Sequence, residues 1–151
     1  MRKMRITLIA VVLGIISVLV WQAVQVIESR ALPNVEQTQI PKIWITEPKN
    51  GATVPERPYV TGKISNPNAA VWVVVHPMDV SDYWVQPQLT VSRDDTFRVD
   101  IYVGRPGNSD AGKHYEIMAI ANPKRPLKEG DVLRFWPDAE SKSEVVEVVR
   151  K

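Results

Sequence analysis

The sequence predicts an all-β fold, a Greek-key sandwich of seven to nine strands, preceded by one transmembrane helix. Three observations predict it. Residues 69–77 read Ala-Ala-Val-Trp-Val-Val-Val-His-Pro, a run too short to cross a bilayer and too β-branched for a comfortable helix. Phe97, Val99, Ile101 and Val103 alternate strictly with Arg98, Asp100 and Tyr102, the signature of a strand with one core face and one wet face. Ahead of both, a basic stub leads into an almost unbroken apolar stretch.

That leading segment divides into a cytoplasmic basic stub, residues 1–5, with Arg2, Lys3 and Arg5, and a span over residues 6–27. As a helix the span would be roughly 33 Å long, enough to cross the hydrocarbon layer. Basic, apolar and then polar is the order of a cleaved signal peptide and also of a retained signal anchor. Cleavage requires small residues just before the cut. A cut after Ala23 would place Trp21 in one of those positions, and a cut after Ala31 lies beyond Arg30, far from the apolar stretch. A retained anchor embedded in membrane lipid is therefore expected. Basic residues concentrated before the span put the N-terminus in the cytoplasm and the C-terminal domain on the periplasmic or extracellular side. Trp21 falls where an interfacial aromatic belongs. Ala10 and Gly14 have the spacing that lets a second helix approach, although small residues are common in such spans anyway. Residues 28–41 are polar, contain Pro33 and Pro41, and read as a linker.

Of the 19 Lys and Arg, four precede residue 31, whereas only Glu28 of the 17 Asp and Glu does. The remainder carries 15 basic and 16 acidic groups, a net −1, so the formal +2 belongs to the anchor and its flanks. The outer domain thus lacks the clustered positive charge of a nucleic-acid footprint. There is no cysteine, which removes disulfides, thiolate metal sites and lipidation of a cysteine.

Residues 42–151 read as the sandwich. Ile43, Trp44, Ile45 and Thr46 form a first strand, closed by Pro48 and the turn-forming pair Asn50-Gly51. Residues 59–64 alternate again, with Val60 and Ile64 on one face; Ser65-Asn66-Pro67-Asn68 turns the chain into the valine-rich strand. Residues 82–87 form its hairpin partner and residues 89–91 a short strand. After the alternating strand and a glycine-containing loop, residues 115–121 read as a second central strand. A basic loop over 123–130, a strand over 132–136 and a last strand over 145–149 follow.

The stretch Ile45-Thr46-Glu47-Pro48-Lys49-Asn50-Gly51-Ala52-Thr53-Val54, followed by Val60-Thr61-Gly62, resembles the opening of bacterial immunoglobulin-like surface modules. Asp94-Asp95-Thr96-Phe97 is similar to a turn in the same modules, with Asp95 where glycine is often found. The resemblance covers most of residues 43–121. It implies an immunoglobulin-like sandwich with an extracytoplasmic adhesive or structural role, and it attaches no reaction.

Candidate chemistry is sparse. His76 and His114 fall at strand ends that meet if their strands are antiparallel neighbours, and Asp79 or Asp82 would then complete a metal site. Solvated strand-end histidines are the commoner outcome. Asp79, Asp82, Asp94, Asp95 and Asp110 are loop carboxylates without the spacing of a calcium loop. No Gly-x-Ser-x-Gly elbow or phosphate-cradling loop is present, so no enzyme and no cofactor are expected. Aromatic residues are the stronger signal. Trp72 shares a face with Val74 while Val71, Val73 and Val75 point the other way. One face is core, and the other is covered by a loop or open to a partner. Tyr102 lies on a wet face, and Tyr83 and Trp84 point to opposite sides. Trp72, Tyr83, Trp84 and Tyr102 are thus the candidate partner- or glycan-binding residues. Two functions fit: an anchored interaction module, an accessory subunit docking another membrane or envelope protein, or a module that stacks cell-envelope glycans on its aromatic rings.

Overall fold

A computed structural model describes residues 40–151. The basic stub over 1–5, the span over 6–27 and the linker up to residue 39 lie outside the described residues.

The described chain is all-β, and its strands form two sheets packed face to face. In the smaller sheet β1 (Ile43–Glu47), β3 (Tyr59–Ile64) and β6 (Thr96–Asp100) lie side by side, all antiparallel. The larger sheet runs in the order β2 (Ala52–Val54), β10 (Val146–Arg150), β7 (His114–Pro123), β4 (Val71–Pro77), β5 (Tyr83–Val85) and β8 (Val132–Leu133). The remaining strand, β9 (Ala139–Lys142), pairs with β7 above β10. Among the described residues there are therefore ten strands rather than seven to nine. The excess lies in short or polar segments such as β2 and β9, which carry little alternation for a sequence reading to find.

β4 and β7 form the spine of the large sheet because both are apolar on two faces. Val71, Val73 and Val75 pair with Ala121, Ala119 and Ile117, and all six enter the core between the sheets. They meet Val60, Ile64, Phe97 and Val99 from the facing strands, and burial of this surface is the main source of stability. On the reverse face Trp72 and Val74 pair with Ile120 and Met118. These four and Val85 form a second core, against which Tyr83, Leu127, Leu133, Trp136 and Ala139 pack. Most of that cover comes from the chain running from β7 to β9. The sequence left open whether this face was covered or exposed; the structure covers it, and Trp72 is 9% exposed.

Strand ends divide the domain into two poles. At one, the start of β1 bonds the turn after β3, Lys42 N to Ser65 Oγ at 2.8 Å, and Asn122 at the end of β7 bonds the start of β4, Asn122 N to Ala70 O at 2.8 Å. At the other pole lie Pro77, Tyr115 and the β6–β7 loop, reached by the far end of β4. The seven residues of β4 span roughly 20 Å between the two.

Candidate functional site

The second pole carries a cleft of about 590 Å³. Its origin is the mismatch between the sheets. Three strands cannot cover a sheet twice as wide, so the β5–β8 edge overhangs the smaller sheet. Along β5 the side chains alternate. Tyr83 and Val85 turn into the second core, and Trp84 projects from the opposite face, opposite Val132. Trp84 is 43% exposed and forms one wall of the cleft. The other wall comes from the chain following β6, where Tyr102 is 46% exposed. Val75, Pro77 and the buried Tyr115 also line the cleft.

Gln86 holds the walls together. Its backbone N–H donates to Val73 O at 2.9 Å, its side-chain Nε2 donates to Trp84 O at 3.1 Å, and its Oε1 accepts from Tyr102 N at 2.7 Å. One buried amide thus joins the edge of the large sheet to the chain leaving the small one. Arg57 secures Tyr102 from outside: its guanidinium lies 3.9 Å from the ring centroid and donates to the phenol oxygen at 2.8 Å.

The charged side of the cleft is built around Asp110. Asp110, only 3% exposed, accepts from Arg105 N at 2.7 Å and faces Lys113 Nζ at 2.9 Å and Arg105 at 3.4 Å. Lys113 is shared with Asp79, also at 2.9 Å. The Arg105 backbone N–H, then Lys113 and the Arg105 guanidinium, hold the Asp110 carboxyl far below the usual carboxylate range. The Lys113 hydrogen bond likewise lowers Asp79, and the two carboxylates, Asp110 first, raise Lys113. Gly104, at a φ of +81°, passes so close that a Cβ would sit 2.6 Å from the Tyr115 hydroxyl and 3.0 Å from Asp110 Cβ.

No family model matches this sequence, and no curated protein does.

The structure separates the aromatic candidates. Trp84 and Tyr102 come together in the cleft. Trp72 does not, because it packs under the β7–β9 chain on the reverse face, so as a surface residue it drops out. Tyr83 is half-buried there too, stacked on His76 with centroids 4.0 Å apart and edge-on to Trp136 at 4.8 Å. The histidines have separate partners. His76 Nδ1 lies 3.0 Å from the Asp82 carbonyl oxygen, and His114 Nδ1 lies 2.7 Å from Glu147 Oε1. Among the described residues no three His, Cys, Asp or Glu gather where they could hold a metal ion. Sequence reasoning missed Gln86, Arg105, Lys113 and Glu129 as cleft residues. Arg105, Asp110 and Lys113 are spread through a glycine-containing loop, and only the fold brings them to Tyr115.

Proposed function

We propose that the outer domain is the interaction module of a single-pass, membrane-anchored protein and docks another membrane or envelope protein through this cleft. The observation that carries the reading is the pairing of two half-exposed aromatic walls with buried polar groups, Gln86 and Asp110, that already have partners inside the protein. Trp84 and Tyr102 offer rigid apolar area of the kind that anchors protein contacts. Gln86, Asp110, Arg105 and Lys113 spend their hydrogen bonds inside the protein. A sugar brings many hydroxyls, each of which loses free energy if buried without a partner. A glycan therefore finds fewer partners here than a largely apolar peptide surface needs, and the glycan reading, resting on the same two rings, stands second.

Strand order supports an immunoglobulin-like sandwich, with β1, β3 and β6 in the places of strands A, B and E and β4, β7 and β10 in those of C, F and G. The parallel pairing of β2 with β10, at Val148–Ala52 and Arg150–Val54, completes the frame.

Site-specific photocrosslinking in native membranes tests the docking reading. A benzophenone side chain at position 84 or 102 is expected to give the same discrete protein adduct, and one at position 66, on the opposite pole, none. Equal adducts from all three positions, or none from any, would overturn the assignment of the cleft.

A further inference from the structure

The cleft has a sign. Four carboxylates line it, Asp79, Asp82, Asp110 and Glu129, against two cations, Arg105 and Lys113. Both cations are already paired, each with Asp110 and Lys113 also with Asp79. That leaves Asp82 and Glu129, and of the two only Glu129 is without a cation among the described residues. Asp82 meets Arg134 at 3.2 Å, an exposed contact of the kind that binds weakly and opens readily. Glu129 is exposed and, among the described residues, has no ion-pair partner.

The walls between these charges are apolar: Val80, Trp84, Pro87, Tyr102 and Pro106. Such a surface suits an extended or polyproline-like segment, which lays apolar side chains on aromatic walls without needing the cleft to supply many hydrogen bonds. The face of an exposed indole also attracts a cation.

We propose that the docked segment is an extended, apolar peptide stretch bearing a lysine or arginine. The alkyl stem of that residue lies along Trp84, and its charge is met by Glu129 and Asp82. This inference rests on the docking reading above and adds charge selection to it. An acidic ligand is disfavoured by the surplus of carboxylate and by the commitment of Lys113 to Asp110 and Asp79.

The test uses the full chain in detergent micelles, with 5-fluorotryptophan incorporated and the Trp84 resonance assigned by Trp84→Phe. Three proline- and valine-rich peptides, identical except for a central arginine, glutamine or glutamate, are titrated, followed by a soluble cell-wall oligosaccharide. The arginine peptide is expected to shift Trp84 saturably with a dissociation constant on the order of 1 mM, and the glutamate peptide to bind at least about tenfold more weakly. Glu129→Gln, an exposed loop substitution, is expected to weaken the arginine peptide roughly threefold and so to narrow its advantage over the glutamine peptide. Equal binding of all three peptides would overturn charge selection and leave docking in place. A Trp84 resonance that moves for no peptide overturns the docking reading as well, and one that moves only for the oligosaccharide replaces it with glycan binding.

Discussion

In the β6–β7 loop, Asp110 and Lys113 face each other at 2.9 Å, and the Asp110 side chain is almost wholly enclosed by the loop that it organises. Its carboxylate accepts from Arg105 N at the start of the loop while Lys113 approaches from the end, so one anion closes the loop from both sides. Because the folded protein holds this carboxyl below its unfolded range, the unfolded chain takes up the proton first as pH falls. The contribution to stability is complete above the unfolded value, about 4, and is lost progressively as pH drops from there toward the folded value. Urea titrations of the full chain in micelles are expected to show a larger loss of stability between neutral and acid pH for the native protein than for Asp110→Asn. Parallel losses in the two proteins would show that Asp110 does not carry the effect.

Gly62 is required by space rather than by backbone conformation. A Cβ there would overlap the Phe97 ring and the Trp44 carbonyl oxygen, since β1 and the ring of Phe97 on β6 both crowd this point of β3. Gly62→Ala is expected to destabilise the domain by about 1–3 kcal/mol through overpacking. A midpoint in denaturant equal to that of the native chain would refute it.

The parts of the fold that the sequence made legible are those where one strand carries its own pattern. Val60 and Ile64, and Phe97, Val99, Ile101 and Val103, are buried as their alternation requires, although β6 itself ends at Asp100. Ile101 and Val103 keep the alternation because their backbone N–H groups bond Pro58 O and Glu56 O outside regular pairing. What was not legible depends on contacts between distant segments. β9 reads Ala-Glu-Ser-Lys and takes its strand pairing from β7. The chain over 123–138 reads as a basic loop and a strand, and its role as cover for Trp72 rests on Leu127, Leu133 and Trp136, apolar residues at no regular spacing. The cleft draws on three separated stretches of chain, so its aromatic walls were visible as residues and invisible as a pair.

The second core has a testable weight. Trp72 fills the space between Ile120 on β7 and the chain that crosses over it. Trp72→Ala is expected to lose about 3–5 kcal/mol, and Trp72→Phe distinctly less. Thermal unfolding of the two variants checks the order. A loss within the range of an ordinary surface substitution, about 0.5 kcal/mol, would mean that the reverse face contributes little.

Ser143 stands at the break between β9 and β10, where β7 changes partners. Its Oγ accepts from Ala119 N at 3.0 Å and donates to Glu144 O at 2.8 Å, while its own N–H donates to Ala119 O at 2.8 Å. The side chain stands in for the ladder bond that the irregular backbone cannot make. Ser143→Ala leaves the buried Ala119 N–H without an acceptor and is expected to cost about 1–3 kcal/mol. Amide exchange reads it directly: Ala119 is expected to lose protection while Ala121 keeps it, and retained protection at Ala119 would count against this role.

Arg150 ties the last strand to the cleft loop. The buried guanidinium donates to Val103 O at 3.1 Å, Lys151 O at 2.7 Å and Gly107 O at 3.1 Å, and meets Glu56 at 3.4 Å. Three carbonyls approaching from different directions match the fork of a guanidinium and not the single point of an ammonium. Arg150→Ala is expected to destabilise the domain by about 2–3 kcal/mol, the weight of a lost charge-assisted contact with its acceptors left dry. Arg150→Lys is expected to recover less than half of that loss. Because Gly107 belongs to the loop that carries Arg105 and Asp110, both variants are also expected to weaken any ligand that moves the Trp84 resonance. Unaltered binding in Arg150→Ala would show that the loop holds its shape through Asp110 and Lys113 alone.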